Sequence, residues 1–168
     1  SSEEINTPLL LSLQIGAFAL FPLHAQVLAQ DVTISDDTTT NLLTSTVNGG
    51  GPANIIITED GKVTVTSGTA ITVNSNHNIS NDGLIDNTAI SNGIGVHFDT
   101  QLGVNLISDF NLTKSVTISA PDDNQNLGTN NFGVLIDGDG TFQGSFLGSA
   151  ASGMTIFGDN SAGLSLQT

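Results

Sequence analysis

The sequence predicts an all-β chain built as a single-stranded parallel β-helix, and three observations lead there. Short apolar-polar-apolar segments recur, as in Val63-Thr64-Val65, Ile71-Thr72-Val73 and Val96-His97-Phe98. Period-two alternation marks a strand with one buried face. Gly, Asn, Asp and Ser clusters separate these segments, at Asn81-Asp82-Gly83, Asn92-Gly93 and Asp122-Asp123-Asn124 among others, and such clusters are where a chain turns most readily. No ten-residue window after Ala29 carries a helical period. A module this small cannot bury its own apolar face, so neighbouring copies have to cover it.

The antiparallel β-sandwich is the alternative, because Asp60-Gly61, Asp82-Gly83 and Asn92-Gly93 are favoured two-residue hairpin turns. The shortness of the strands, the glycines standing just before them and the recurrence of β-branched, Asn and Thr positions favour stacked coils. Each coil is expected to take about 20 residues, with Asn and Thr at equivalent turns hydrogen-bonding up the stack.

In chain order, residues 9–23 (LLLSLQIGAFALFPL) form an apolar run interrupted by Ser12, Gln14, Gly16 and Pro22. At about 15 residues it falls short of the roughly 20 that span a bilayer as a helix, and it suits the apolar core of a secretory signal. Small-residue cleavage positions follow Ala25 and Ala29, so residues 1–29 are assigned as a signal peptide. The segment before the run carries Glu3 and Glu4 and no Lys or Arg, unlike the positive first region of a typical signal, and the lack of an initiating Met points to residues upstream. Loss of residues 1–29 removes those two acids and takes the net charge from -14 to -12.

Residues 30–52 are Thr-, Asn- and Gly-rich and are assigned as an irregular amino-terminal cap. Residues 53–168 are assigned as the β-helix proper. The chain reaches Thr168 in an apolar-polar strand with no charge after Asp159, so the last coil is expected to fray or to associate with a neighbour.

Composition narrows the function. Net charge is -14 with only two cations, Lys62 and Lys114, and no Arg; such a surface repels phosphate backbones and anionic lipid, so no nucleic-acid partner is expected. Trp and Tyr are absent and aromatic residues make up 5%, which leaves the eight Phe as packing residues. Without Cys there is no disulfide or thiolate site.

The order of these segments resembles the passenger start of alphaproteobacterial autotransporter (type V secretion) proteins. The resemblance rests on Gly68-Thr69-Ala70-Ile71-Thr72-Val73, Asn81-Asp82-Gly83-Leu84-Ile85 and Gly158-Asp159-Asn160-Ser161-Ala162-Gly163, behind a leader ending HAQVLAQ. It implies a right-handed parallel β-helix exported to the bacterial cell surface, the outer membrane or the medium, and carried by its own C-terminal translocator barrel. It also implies a scaffold or adhesin that is not an enzyme, with surface glycans or self-association as its interactions. A β-helical polysaccharide-active enzyme, hydrolase or lyase, is the alternative.

Candidate chemistry is sparse. Asp137-Gly138-Asp139-Gly140-Thr141 is similar to a calcium loop, yet Leu135 stands where an EF-hand needs an acid, no downstream Glu follows, and the motif occurs once. A solvated turn accounts for it. Asp137 and Asp139 on one strand face would stand about 7 Å apart, a separation compatible with inverting glycoside hydrolysis. Against that, nothing aromatic is available to stack a sugar and no Arg to clamp a uronate. Asp36-Asp37 and Asp122-Asp123 read as solubilising turn charges. His77 and His97 lack a third ligand at metal spacing. No catalytic, cofactor-binding or metal residue is therefore assigned, and no cofactor is expected.

Overall fold

The computed structural model describes residues 30–101, 103–118 and 128–167. The signal segment expected at residues 1–29, with its cleavage positions at Ala25 and Ala29, and the Asp122-Asp123 turn lie outside these residues.

Among the described residues, the chain passes five times through the same three sheets. The first coil holds β1 (Gln30–Ile34), β2 (Asp37–Thr38) and β3 (Leu42–Leu43), and the second β4 (Ala53–Ile57), β5 (Lys62–Val65) and β6 (Thr69–Val73). The third holds β7 (Ile79–Asn81), β8 (Leu84–Asn87) and β9 (Ile94–Thr100), after which comes a short extra strand, β10 (Asn105–Ile107). The fourth holds β11 (Phe110–Leu112), β12 (Ser115–Ile118) and β13 (Phe132–Gly138), again followed by an extra strand, β14 (Thr141–Gln143). The fifth holds β15 (Phe146–Gly148), β16 (Gly153–Ile156) and β17 (Ala162–Leu166).

First strands pair as β1-β4-β7-β11-β15, second strands as β2-β5-β8-β12-β16, third strands as β3-β6-β9-β13-β17, and β10 pairs with β14. Every one of these ladders is parallel. The chain is thus all-β with parallel strands in stacked sheets, has no helix among the described residues, and is consistent with a parallel β-helix.

The sandwich alternative fails on pairing. Asp82-Gly83 joins β7 to β8, and Asp60-Gly61 joins β4 to β5, so each turn links strands of different sheets and none closes a hairpin. The antiparallel contact among the described residues is the isolated bridge between Asn48 and Gly51. The expected coil of about 20 residues is also too short. Along the first sheet, spacing between stacked equivalents rises from 23 residues, Asp31 to Asn54, to 36, Asp109 to Ser145. The added length lies partly in β9 and β13, which run to Thr100 and Gly138, and in the β10/β14 side. Residues 30–52 supply an edge strand to each of the three main sheets.

Alternation decides which side chains point in. Ile55, Ile79 and Phe110 stand above one another in the first sheet, Val63, Ile85 and Val116 in the second, and Ile71, Val96 and Val134 in the third. All nine are buried and form one continuous core. Each such side chain is worth about 1.5–3 kcal/mol on burial. Phe110 meets Phe146 edge-to-face with ring centroids 5.1 Å apart, and Phe98 meets Phe142 in the same way at 5.1 Å, which anchors β14 to the core.

The corners need special residues. A Cβ at Gly83 would lie 2.1 Å from the Gly61 carbonyl oxygen and 2.4 Å from that of Thr58, so only glycine lets the chain fold this closely over the coil beneath. At the entrance to the third sheet, Asn92, Asn130 and Asn160 stand in successive coils with φ of 56°, 57° and 51°. Asparagine tolerates this left-handed conformation better than other residues with a Cβ. The Asn160 amide donates to the Asn130 side-chain oxygen below it. Asn81, Asn87 and Asn131, by contrast, are fully buried inside the corners.

Candidate functional site

Three surface features carry polar chemistry. The first is a ladder that climbs beside the first sheet. The Asn54 amide donates to Asp31 at 2.8 Å, the Asn78 N–H to the Asn54 side-chain oxygen at 2.8 Å, and the Asp109 N–H to that of Asn78 at 2.9 Å. Ser145 completes it, donating both its N–H, at 2.8 Å, and its hydroxyl, at 2.7 Å, to one Asp109 oxygen. These bonds hold the Asp109 carboxyl below its usual 3.8, the hydroxyl contributing most and the backbone N–H next, against a slight opposing effect of burial. The expectation of stacked Asn positions is met here, with acids and a serine sharing the column. Alongside runs a shallow groove of about 240 Å³, with the ladder on one side and Ile56 and Leu147 in its lining.

The second feature gathers both of the chain's lysines. Lys62 and Lys114 line a groove of about 360 Å³ with Asp37, Glu59 and Asp60. Lys114 Nζ lies 3.3 Å from Glu59 Oε1 with both side chains largely exposed, an ion pair worth at most about 1 kcal/mol. Acids outnumber cations in this groove.

The third lies on the outer face of the third sheet. His97 and Asp99 stand two residues apart on β9 and so project to the same side. Asp137 on β13 stands directly opposite Asp99 in the parallel register, with Leu135 opposite His97. His97 Nε2 contacts the Asp137 carboxylate, and the Gln101 amide donates to Asp99 at 2.7 Å. All three are half-buried, and each offers a ligand atom within 4.8 Å of the others.

The sequence candidates are redistributed accordingly. β13 ends at Gly138, whose φ of 108° turns the chain away before Asp139, so Asp137 and Asp139 do not share a strand face. Asp139 is an exposed turn residue. His77 precedes β7 and contacts Ser75 at 3.0 Å, whereas His97 belongs to β9 in another sheet. Asp36 accepts from the Ser35 hydroxyl at 3.2 Å in an exposed turn, and Asp37 begins β2.

Asp99 was not singled out in the sequence. The signal for it is an internal match, Gly95-Val96-His97-Phe98-Asp99 against Gly133-Val134-Leu135-Ile136-Asp137, which the ladder stacks residue on residue. Comparison with protein-family models, with curated proteins and with solved structures gives no match.

Proposed function

We propose that this chain belongs to the passenger of an exported autotransporter-type protein, a right-handed parallel β-helix displayed at the bacterial surface or released as a non-catalytic scaffold or adhesin. The observation that supports the reading is the ladder from Asp31 to Ser145, which offers similar polar groups on successive coils beside a shallow groove. A repeated, shallow surface suits multivalent attachment, in which several weak contacts act together. A catalytic centre instead needs one constellation held to a fraction of an ångström. Right-handedness follows the general preference of crossovers between parallel strands. A translocator barrel and surface glycans are the proposed partners, and self-association a further interaction.

The test is a panel of surface and capsular polysaccharides incubated with the protein, reading bound glycan and newly formed chain ends together. Binding without new ends supports the adhesin. New reducing ends or unsaturated products overturn it in favour of a polysaccharide hydrolase or lyase.

A further inference from the structure

We infer that His97, Asp99 and Asp137 form a binding site for a divalent transition-metal ion of the zinc class, clamped between β9 and β13 on the outer face of the third sheet. The inference is independent of the surface-attachment reading.

Geometry is the first support. One imidazole nitrogen and two carboxylate oxygens lie within 4.8 Å of one another. Around an ion with bonds of about 2.0–2.2 Å, ligand atoms sit about 3–3.5 Å apart, a distance reached by small side-chain rotations. The backbone beneath is held. The Thr100 hydroxyl donates to the Asp137 carbonyl at 2.7 Å, and a Cβ on Gly138 would lie 2.0 Å from the Thr100 carbonyl oxygen, so β9 and β13 meet closely at this end. Gln101 orients Asp99 through its amide, the kind of supporting contact that fixes a ligating carboxylate.

Charge is the second support. Asp99 and Asp137 face each other on adjacent strands, an arrangement that is destabilising for like charges. Neither makes an ion pair with a lysine, the two lysines of the chain line the groove at Lys62 and Lys114, and there is no Arg. A bound divalent cation neutralises the two carboxylates together.

The donor set selects the metal. Calcium and magnesium favour cages of oxygen, six or more for calcium, whereas one imidazole with two carboxylates suits zinc and its neighbours. Three protein ligands leave a fourth position for water or for an acidic group of another molecule.

The test uses the whole chain, freed of metal by chelation and titrated with zinc chloride by calorimetry, with thermal melting in parallel. One zinc ion per chain and a higher melting temperature are expected. Asp99→Asn and His97→Gln should each weaken binding about tenfold or more. Without metal, Asp99→Asn should melt at or above the parent, because it removes one of two opposed charges; with zinc the order should reverse. Asp137→Asn serves as a second variant should His97→Gln fail to fold. The site is overturned if the parent binds no zinc, if Asp99→Asn and Asp137→Asn bind it as tightly as the parent, which would place the ion elsewhere, or if calcium binds more tightly than zinc.

Discussion

Asp109 accepts two hydrogen bonds from Ser145 on the coil above, one from the N–H at 2.8 Å and one from the hydroxyl at 2.7 Å, and both converge on the same carboxylate oxygen. Because the folded carboxyl titrates below its ordinary 3.8, the stability it contributes is present above that value and is lost as pH falls through the lower folded value. Asp109→Ala should therefore lower the urea midpoint at neutral pH, and the gap from the parent should close in acid below 3.8. Denaturation curves across this range check it; a gap that does not change with pH counts against the ladder's role.

Asn131 is fully buried and donates its amide to the carbonyls of Ile90, at 2.9 Å, and Phe157, at 2.8 Å, while accepting from the Gly93 N–H at 2.8 Å. Asn131→Ala leaves these groups without that partner and should cost about 2–4 kcal/mol. Asn131→Asp should cost more, since a carboxylate would face two carbonyl oxygens. Equilibrium unfolding of both variants gives the order.

Gly83 and Gly153 test the corner argument as a pair. A Cβ at Gly83 would strike the Gly61 and Thr58 carbonyls, whereas one at Gly153 meets nothing within 4 Å. Gly83→Ala should destabilise by about 1–3 kcal/mol or more. Gly153→Ala should stay within about 0.5 kcal/mol of the parent, as measured by the denaturation midpoint.

Phe110 is fully buried and Phe146, its edge-to-face partner on the next coil, is 37% exposed. Phe110→Ala should cost about 3–5 kcal/mol. A double-mutant cycle with Phe146→Ala should return a coupling of about 0.5–1.5 kcal/mol. Additive losses would mean that the ring contact contributes only through area.

Much of the fold was legible because alternation is local. Val63 and Val65, Ile71 and Val73, and Val96 and Phe98 announce an inward face within three residues, and all six are in the core. Coil length was less legible, since nothing in the sequence near Asp99 reveals that the chain adds β10 before rejoining the stack at Phe110. Asn81 read as turn punctuation, yet it ends β7 fully buried, accepting from the Gly83 N–H at 3.0 Å and donating to the Ser115 carbonyl at 3.0 Å. Composition marks a turn there; only the stack decides whether the side chain faces water or closes an inner corner.

The His97 cluster was hidden for a related reason. Its members come from strands whose contact separates 40 residues of chain, and metal-spacing rules look for ligands close in sequence. The repeated Gly-Val-x-x-Asp segments would have paired Asp99 with Asp137. His97 has no counterpart in the second copy, where Leu135 stands, so repetition alone could not supply the third ligand.

The unequal coils also set how the molecule yields to mechanical tension. Among the described residues the strand ladders join each coil only to the coils above and below it, and the exposed Lys114–Glu59 pair that reaches past the third coil adds at most about 1 kcal/mol, so a pull along the stack peels one coil at a time and the contour released scales with the residues in each. At about 3.4 Å per extended residue, the 23-residue interval from Asp31 to Asn54 pays out about 80 Å and the 36-residue interval from Asp109 to Ser145 about 120 Å. A force-extension trace should then be a saw-tooth of unequal teeth, in which tooth length reports which coil has let go.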